Sequence, residues 1–144
     1  MTCMRIPLDV LDGEINLTAT VRAPHVCGSV NFMTDTGSNT SFIGSVDMQK
    51  LGISQRRLQF SDKIFWGDAP FRLGKLRKVA LWVKTADHTV YVFHLPFIFV
   101  SPDFIHTKEG NISPNLLGLD FLRAQKLQFC FDGVSNSAYF ETSK

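Results

Sequence analysis

Apolar and polar residues alternate along much of this chain with a period of two. "RIPLDVL" at 5–11 and "EINLTATVR" at 14–22 read as two strands, and Asp12-Gly13 between them is a favoured hairpin turn. "GSVNFMTD" at 28–35 reads as a third strand. "LQFSDKIF" at 58–65 and "FRLGKLRKVALWVK" at 71–84 flank Trp66-Gly67-Asp68-Ala69-Pro70, which predicts a second, longer hairpin. "HTVYVFHLPFIFV" at 88–100, "KLQFCFD" at 126–132 and "SAYFET" at 137–142 complete the strand list. Phe42, Ile43, Phe97, Phe99, Phe129 and Phe131 stand at strand period and are expected in the core.

Only two pieces carry helical signals. "GSVDMQKLGI" at 44–53 offers Ser45 as N-cap and Gly52 as stop, and "LDFLRAQK" at 119–126 has Asp120 near its start in a capping role. Residues 101–115 look like an irregular surface loop. Many short strands separated by turn signals predict an all-β fold, a sandwich or a small closed barrel. There is no internal repeat, and the 144 residues are read as one domain, 1–144.

Composition narrows the function classes. Hydrophobic residues make up 44% and charged residues 19%, a globular balance that argues against disorder. The net charge of +2 gives no reason to expect a nucleic-acid partner. Arg72, Lys75, Arg77 and Lys78 alternate with apolar residues, as on the solvated face of a strand. Cys3, Cys27 and Cys130 have no metal-ligand spacing and read as free thiols in a reducing compartment; His25, His88, His94 and His106 read as turn or surface residues. Arg5, Asp9, Asp12 and Glu14 break any signal-peptide core, and no apolar run is long enough to span a bilayer. The expectation is a cytoplasmic chain with no membrane partner.

The alternation is interrupted at "FMTDTGSNTSFI", residues 32–43, where an acid, several hydroxyls and a glycine separate two apolar segments. A carboxylate can activate water as a general base, but amide hydrolysis also needs an acid for the leaving amine. Two carboxyls sharing one proton supply both. Gly37 permits a tight turn whose backbone N–H can point at the Asp35 carboxylate. By itself, Asp-Thr-Gly marks an ordinary turn more often than a catalytic loop. A second signature stands about eighty residues further on: "LLGLDFL" at 116–122 sets two large apolar residues and a glycine before a short helix. A glycine there marks a close approach by another stretch of backbone.

Asp-Thr-Gly in an apolar frame, a long hairpin, then apolar-apolar-Gly before a short helix is one ordered set. It resembles the retropepsin-like aspartic proteases, the single-domain relatives of pepsin. The resemblance covers most of the chain and is specific at 32–43 and 116–122. It implies a small closed acid-protease barrel with a flap hairpin and one or two short helices, forming a two-fold dimer. It implies that Asp35 is the catalytic aspartate, that the Thr36 hydroxyl reaches across the dimer, and that the Gly37 carbonyl binds the substrate backbone. Residues 63–71, with Ile64, Phe65, Trp66, Gly67 and Asp68, are similar to the flap that closes over a peptide beside Ser38. Leu117 and Gly118 match the second signature, with Gly118 crossing beneath the catalytic loop.

The chain also departs from that pattern. Ser38 stands where viral members commonly carry alanine and pepsin-like members serine. Its hydroxyl is expected to donate to the Asp35 carboxylate. Asn39 and Leu119 occupy positions where viral members often pair an acid with an arginine, so that ion pair is absent. The flap has one glycine and the bulky Phe65, Trp66 and Phe71. Trp66 either packs onto the barrel or contacts substrate or the partner chain; the contact role is favoured.

Asp-Thr-Gly occurs once, so one chain supplies one catalytic carboxylate. A two-fold homodimer would set Asp35 against its own copy, and the pair would hold one proton over a range of pH. That chemistry needs no metal and no organic cofactor. The leading reading is a homodimeric aspartic endopeptidase acting on extended polypeptide substrates. The alternative is a catalytically quiet module of this fold that serves as a dimerisation or peptide-binding domain. The strand-like chain ends, 3–10 and 137–143, either extend a dimer sheet or close each chain's own barrel.

Overall fold

A computed structural model describes residues 3–60 and 63–142. Ser61 and Asp62, within the expected 58–65 strand, and Ser143, at the expected terminal strand, lie outside that range. The first hairpin forms as its alternation dictates. Strand β1 (Arg5–Leu11) pairs antiparallel with β2 (Glu14–Ala23), Leu11 opposite Glu14, and Asp12 and Gly13 both take positive φ in the turn. Strand β2 continues antiparallel into β3 (Val26–Thr34), with Leu17, Ala19 and Val21 facing Phe32, Val30 and Gly28 in register.

The barrel closes through short strands and two long ones. Strand β4 (Phe42–Ile43) runs parallel to β9 (Val90–Val100), and β9 pairs antiparallel with β8 (Gly74–Lys84). Strand β8 then returns to β2, where Val21 faces Leu81. Between β3 and β4 lies β12 (Leu116–Leu117), parallel to β3 and antiparallel to β4. Inside the ring sit Val21, Phe32, Ile43, Leu81, Phe93 and Leu117, all buried. Fully burying one such side chain is worth about 1.5–3 kcal/mol.

The long β8/β9 ribbon changes face midway. Leu76 points inward, but so do Val79, Leu81 and Val83; opposite them Ile98 and Val100 point inward, and so do Phe93 and Leu95. The parity flips at Lys78, which has φ 58, and at Pro96, which has no N–H for the ladder. This is why the expected core list fails in part. Phe42 and Ile43 are buried, but Phe97 and Phe99 are only half-buried. Phe129 is half-buried against the core, and Phe131 is 50% exposed.

Three further expectations are corrected. The second hairpin is short: β6 (Ile64–Trp66) and β7 (Ala69–Phe71) form a separate two-stranded ribbon, while β5 (Gln59–Phe60) pairs with the start of β8. Pro70 and the break at 72–73 stop β7 from running on into β8. Residues 101–115 are not wholly irregular, because β10 (Ile105–Thr107) and β11 (Gly110–Ile112) make a hairpin there. Buried Ile105 joins Phe42, Phe71, Leu73 and Leu116 in a second small core, against which Ile64, Trp66 and Phe99 pack. Helix α1 (Ser45–Lys50) takes Gly44, not Ser45, as its N-cap, because the Ser45 hydroxyl turns to Ser113 instead.

The chain ends pair within the chain. Strand β14 (Ser137–Thr142) lies between β1 and β13 (Leu127–Asp132), with Ile6 opposite Phe140. Phe121, on helix α2 (Leu119–Ala124), packs between Phe93 and Phe140. The pairing fits the reading in which the ends close each chain's own sheet. Arg77 and Lys78 are exposed as expected of a wet strand face, whereas Arg72 lies off the strand and pairs with Asp103. The three cysteines are free thiols. No helix among the described residues is long and apolar enough to cross a membrane.

Candidate active site

Asp35 follows directly on β3, at the point where β12 runs parallel to it. The Asp35 N–H donates to the Leu117 carbonyl (3.0 Å), which ties the start of the loop to the second signature. The loop then folds back. The Ser38 N–H donates to the Asp35 carbonyl (3.1 Å), and the Gly37 N–H donates to Asp35 Oδ1 (2.9 Å). A Cβ at residue 37 would lie 3.1 Å from that carboxylate oxygen, so glycine leaves the amide free to approach.

Gly118 is the second fixed point. A Cβ there would stand 2.5 Å from the Ser38 carbonyl oxygen, a distance no real side chain tolerates. The two backbones can therefore touch, and the Leu119 N–H reaches the Ser38 carbonyl at 2.8 Å. This is the close approach that a glycine after two apolar residues predicts. Leu116 and Leu117 anchor the crossing from inside, since both are fully buried.

A clamp that sequence reading passed over holds this crossing. Buried Ser41 donates its hydroxyl to Asp120 Oδ1 (2.5 Å) and its N–H to Asp120 Oδ2 (3.0 Å), while its oxygen accepts the Gly118 N–H (2.8 Å). Asp120 also accepts the Phe121 N–H (2.8 Å). Asp120 thus meets a free N–H of the first turn as expected of a capping carboxylate, although the N-cap residue of α2 is Gly118, and the same carboxylate ties the helix to the strand after the loop. Asn115 supports the same region, accepting the Gly44 N–H and donating to Asp47 and to the Asn31 carbonyl. The signal was present in the spacing of Ser41 and Asp120 from the two glycine signatures, but nothing in the sequence pairs them.

Ser38 does not meet its expectation. Its hydroxyl donates to the Thr40 carbonyl (2.9 Å) and accepts the Thr40 N–H (3.2 Å), so no proton is left for the Asp35 carboxylate. A local turn two residues long wins over the longer reach. Thr36 is exposed, and its hydroxyl makes no hydrogen bond within the described residues.

Above the loop lies a cleft of about 370 Å³. Asp35, Gly37 and Ser38 line its floor, and Ile64, Phe65, Trp66 and Gly67 line the facing hairpin. Thr36, Asp68, Leu117 and Gly118 do not line it. Asp35 is the one ionisable side chain among the described residues that do. The hairpin turns at Gly67-Asp68, with Gly67 at φ 57 and Trp66 opposite Ala69. Phe65 is 66% exposed, whereas Trp66 packs against the second core and still borders the cleft. The two roles weighed for Trp66 are therefore compatible.

The ribbon is held from below. Arg72, just past β7, makes a two-pronged ion pair with Asp103, just before β10: Nη2 to Oδ1 at 2.8 Å and Nε to Oδ2 at 3.0 Å. The Arg72 N–H adds a third bond to the same carboxylate (3.0 Å). The guanidinium's hydrogen bonds hold the Asp103 carboxyl below the usual aspartate range.

No protein-family profile matches the chain, and no curated protein matches it. Among solved structures, the chain is similar to a retropepsin-like aspartic protease from Rickettsia conorii. The two share 20% identity at a TM-score of 0.62, with 98% of this chain and 93% of that chain covered. The chain therefore has a retropepsin-like fold.

Proposed function

We propose that the protein is an aspartic endopeptidase whose active unit is a homodimer. The observation that carries this reading is the Asp35 carboxylate, held by the Gly37 N–H at the floor of a cleft in which it is the one ionisable side chain among the described residues. A single carboxyl cannot at one moment be ionised, to take a proton from water, and protonated, to polarise the carbonyl. A second copy related by a two-fold axis supplies the other, and two carboxyls in contact keep one proton between them. The ionised member takes a proton from water as it attacks the peptide carbonyl, and the protonated member donates to the carbonyl oxygen. The tetrahedral adduct collapses when a proton passes to the leaving amine.

The rest of the site has parts in this reaction. The apolar Phe65 and Trp66 would cover an extended peptide and exclude water from the reacting bond. The Thr36 hydroxyl, without a hydrogen bond among the described residues, would bridge to the partner's loop. The test is cleavage of a denatured protein by the wild type and by Asp35→Asn. The amide is nearly isosteric but cannot transfer the proton, so turnover should fall by several orders of magnitude while the circular dichroism spectrum is kept. A variant that cleaves at the wild-type rate would overturn the assignment. A wild type that binds peptides and never cuts them would favour a peptide-binding module.

A further inference from the structure

A one-sided arrangement of charge lies away from the Asp35 cleft. Strands β2, β3, β8 and β9 together contain five Lys or Arg and one acid, Glu14 at the start of β2. They pair as one continuous wall: Cys27 faces Arg22, Arg22 faces Ala80, and Ala80 faces His94. Among the described residues only Arg5 and Arg72 form ion pairs, so Arg22 and Lys78 have no carboxylate partner on this wall. The solvated face of a sheet ordinarily mixes both signs, because like charges side by side repel.

The wall also exposes an aromatic ring. Trp82 is 38% exposed, and the Arg22 guanidinium lies over it, 4.3 Å from the ring centroid. Together they border an open groove of about 520 Å³ whose floor includes Ala80 and Val92 and whose flanks include Lys78 and His94. The groove shares no residue with the cleft at Asp35. Stacking fixes the guanidinium plane, so its N–H fork can take a carboxylate with little further ordering.

We propose that this outer wall docks an acidic segment of a polypeptide. Carboxylates would meet Arg22 and Lys78, and an apolar side chain between them would rest on Trp82 and Val92. A nucleic acid fits less well, since it asks for a run of phosphate contacts and successive rings for its bases, and the groove has one ring. The docking does not depend on Asp35, so it stands or falls separately from the proposed proteolysis.

Fluorescence anisotropy of a labelled peptide centred on Glu-Glu-Phe-Glu-Glu tests it. The full chain is used with Asp35→Asn in place, so that cleavage cannot remove the probe. The peptide should bind, more weakly as salt is raised, and the same peptide with Gln for each Glu should bind markedly less. Arg22→Gln with Lys78→Gln should lose about tenfold in affinity, as expected for two exposed charge contacts. Lys50→Gln with Lys126→Gln, off the wall, should lose none. Absence of binding, equal binding of the Glu and Gln peptides, or a double variant that binds as well as its parent would overturn the proposal. So would tighter binding of a single-stranded oligonucleotide that the same double variant abolishes, which would assign the wall to nucleic acid.

Discussion

At the scale of single residues, the site is a set of backbone contacts that only certain side chains permit. Gly118 is required by a distance of 2.5 Å from a would-be Cβ to the Ser38 carbonyl oxygen, and at Gly37 a Cβ would crowd the Asp35 carboxylate at 3.1 Å. Ser38 shows how a neighbouring hydroxyl can be mistaken for part of the chemistry. Its donor is spent on the Thr40 carbonyl. Ser38→Ala should therefore leave the acidic limb of a kcat/KM profile where it is and lower stability by about 1 kcal/mol through the lost turn. Parallel pH profiles and thermal melts check this, and an upward move of the limb would show that Ser38 reaches the dyad after all.

At the scale of elements, the flap ribbon stands on two supports with different chemistry. Trp66 is anchored in the second core, while Phe65 is turned outward. Phe65→Ala should thus reduce kcat/KM on peptides with large apolar side chains while shifting the melting temperature little. Trp66→Ala should reduce both. Peptide kinetics beside thermal melts separate the two, and identical behaviour of the variants would count against this division. The second support is the Arg72–Asp103 pair. Asp103 is depressed in the folded chain by the guanidinium's hydrogen bonds, so its contribution is fully present above the unfolded carboxyl value of about 3.9. It is lost as pH falls through the lower folded value. Both side chains are partly exposed, which limits the pair to about 1 kcal/mol. Asp103→Asn should accordingly be less stable than the wild type near neutral pH, and the gap should close as the pH drops below the unfolded carboxyl value. A gap that is unchanged or grows in acid would show that the pair is not its source.

At the scale of the whole molecule, one barrel presents one Asp35, and the proposed chemistry needs two. Specific activity should fall on dilution as dimers dissociate, and light scattering over the same concentrations should show the change in mass. A species that is monomeric throughout yet fully active would overturn the dimer. The Arg5–Glu141 pair and the β1–β14 ladder knit the termini together within one chain. Chain-end strands therefore contribute to the stability of the protomer itself.

Much of this was written in the sequence. Period-two alternation gave the strands, and Asp12-Gly13 gave the first turn, because both depend on neighbours in the chain. Asp35, Gly37 and Gly118 were legible because each is a residue type out of keeping with the apolar frame around it. What the sequence left open depends on partners far along the chain. The parity flip at Lys78 and Pro96 arises only when β8 and β9 are laid side by side, and it moved Phe97 and Phe99 out of the barrel core. The Ser41–Asp120 clamp joins residues 79 positions apart, and the Arg72–Asp103 pair joins residues 31 positions apart. Neither carboxylate has a local feature that names its partner. The short hairpin in 101–115 was hidden for a related reason: it is held by burying Ile105 beneath the flap, and that burial exists only once the second core has formed.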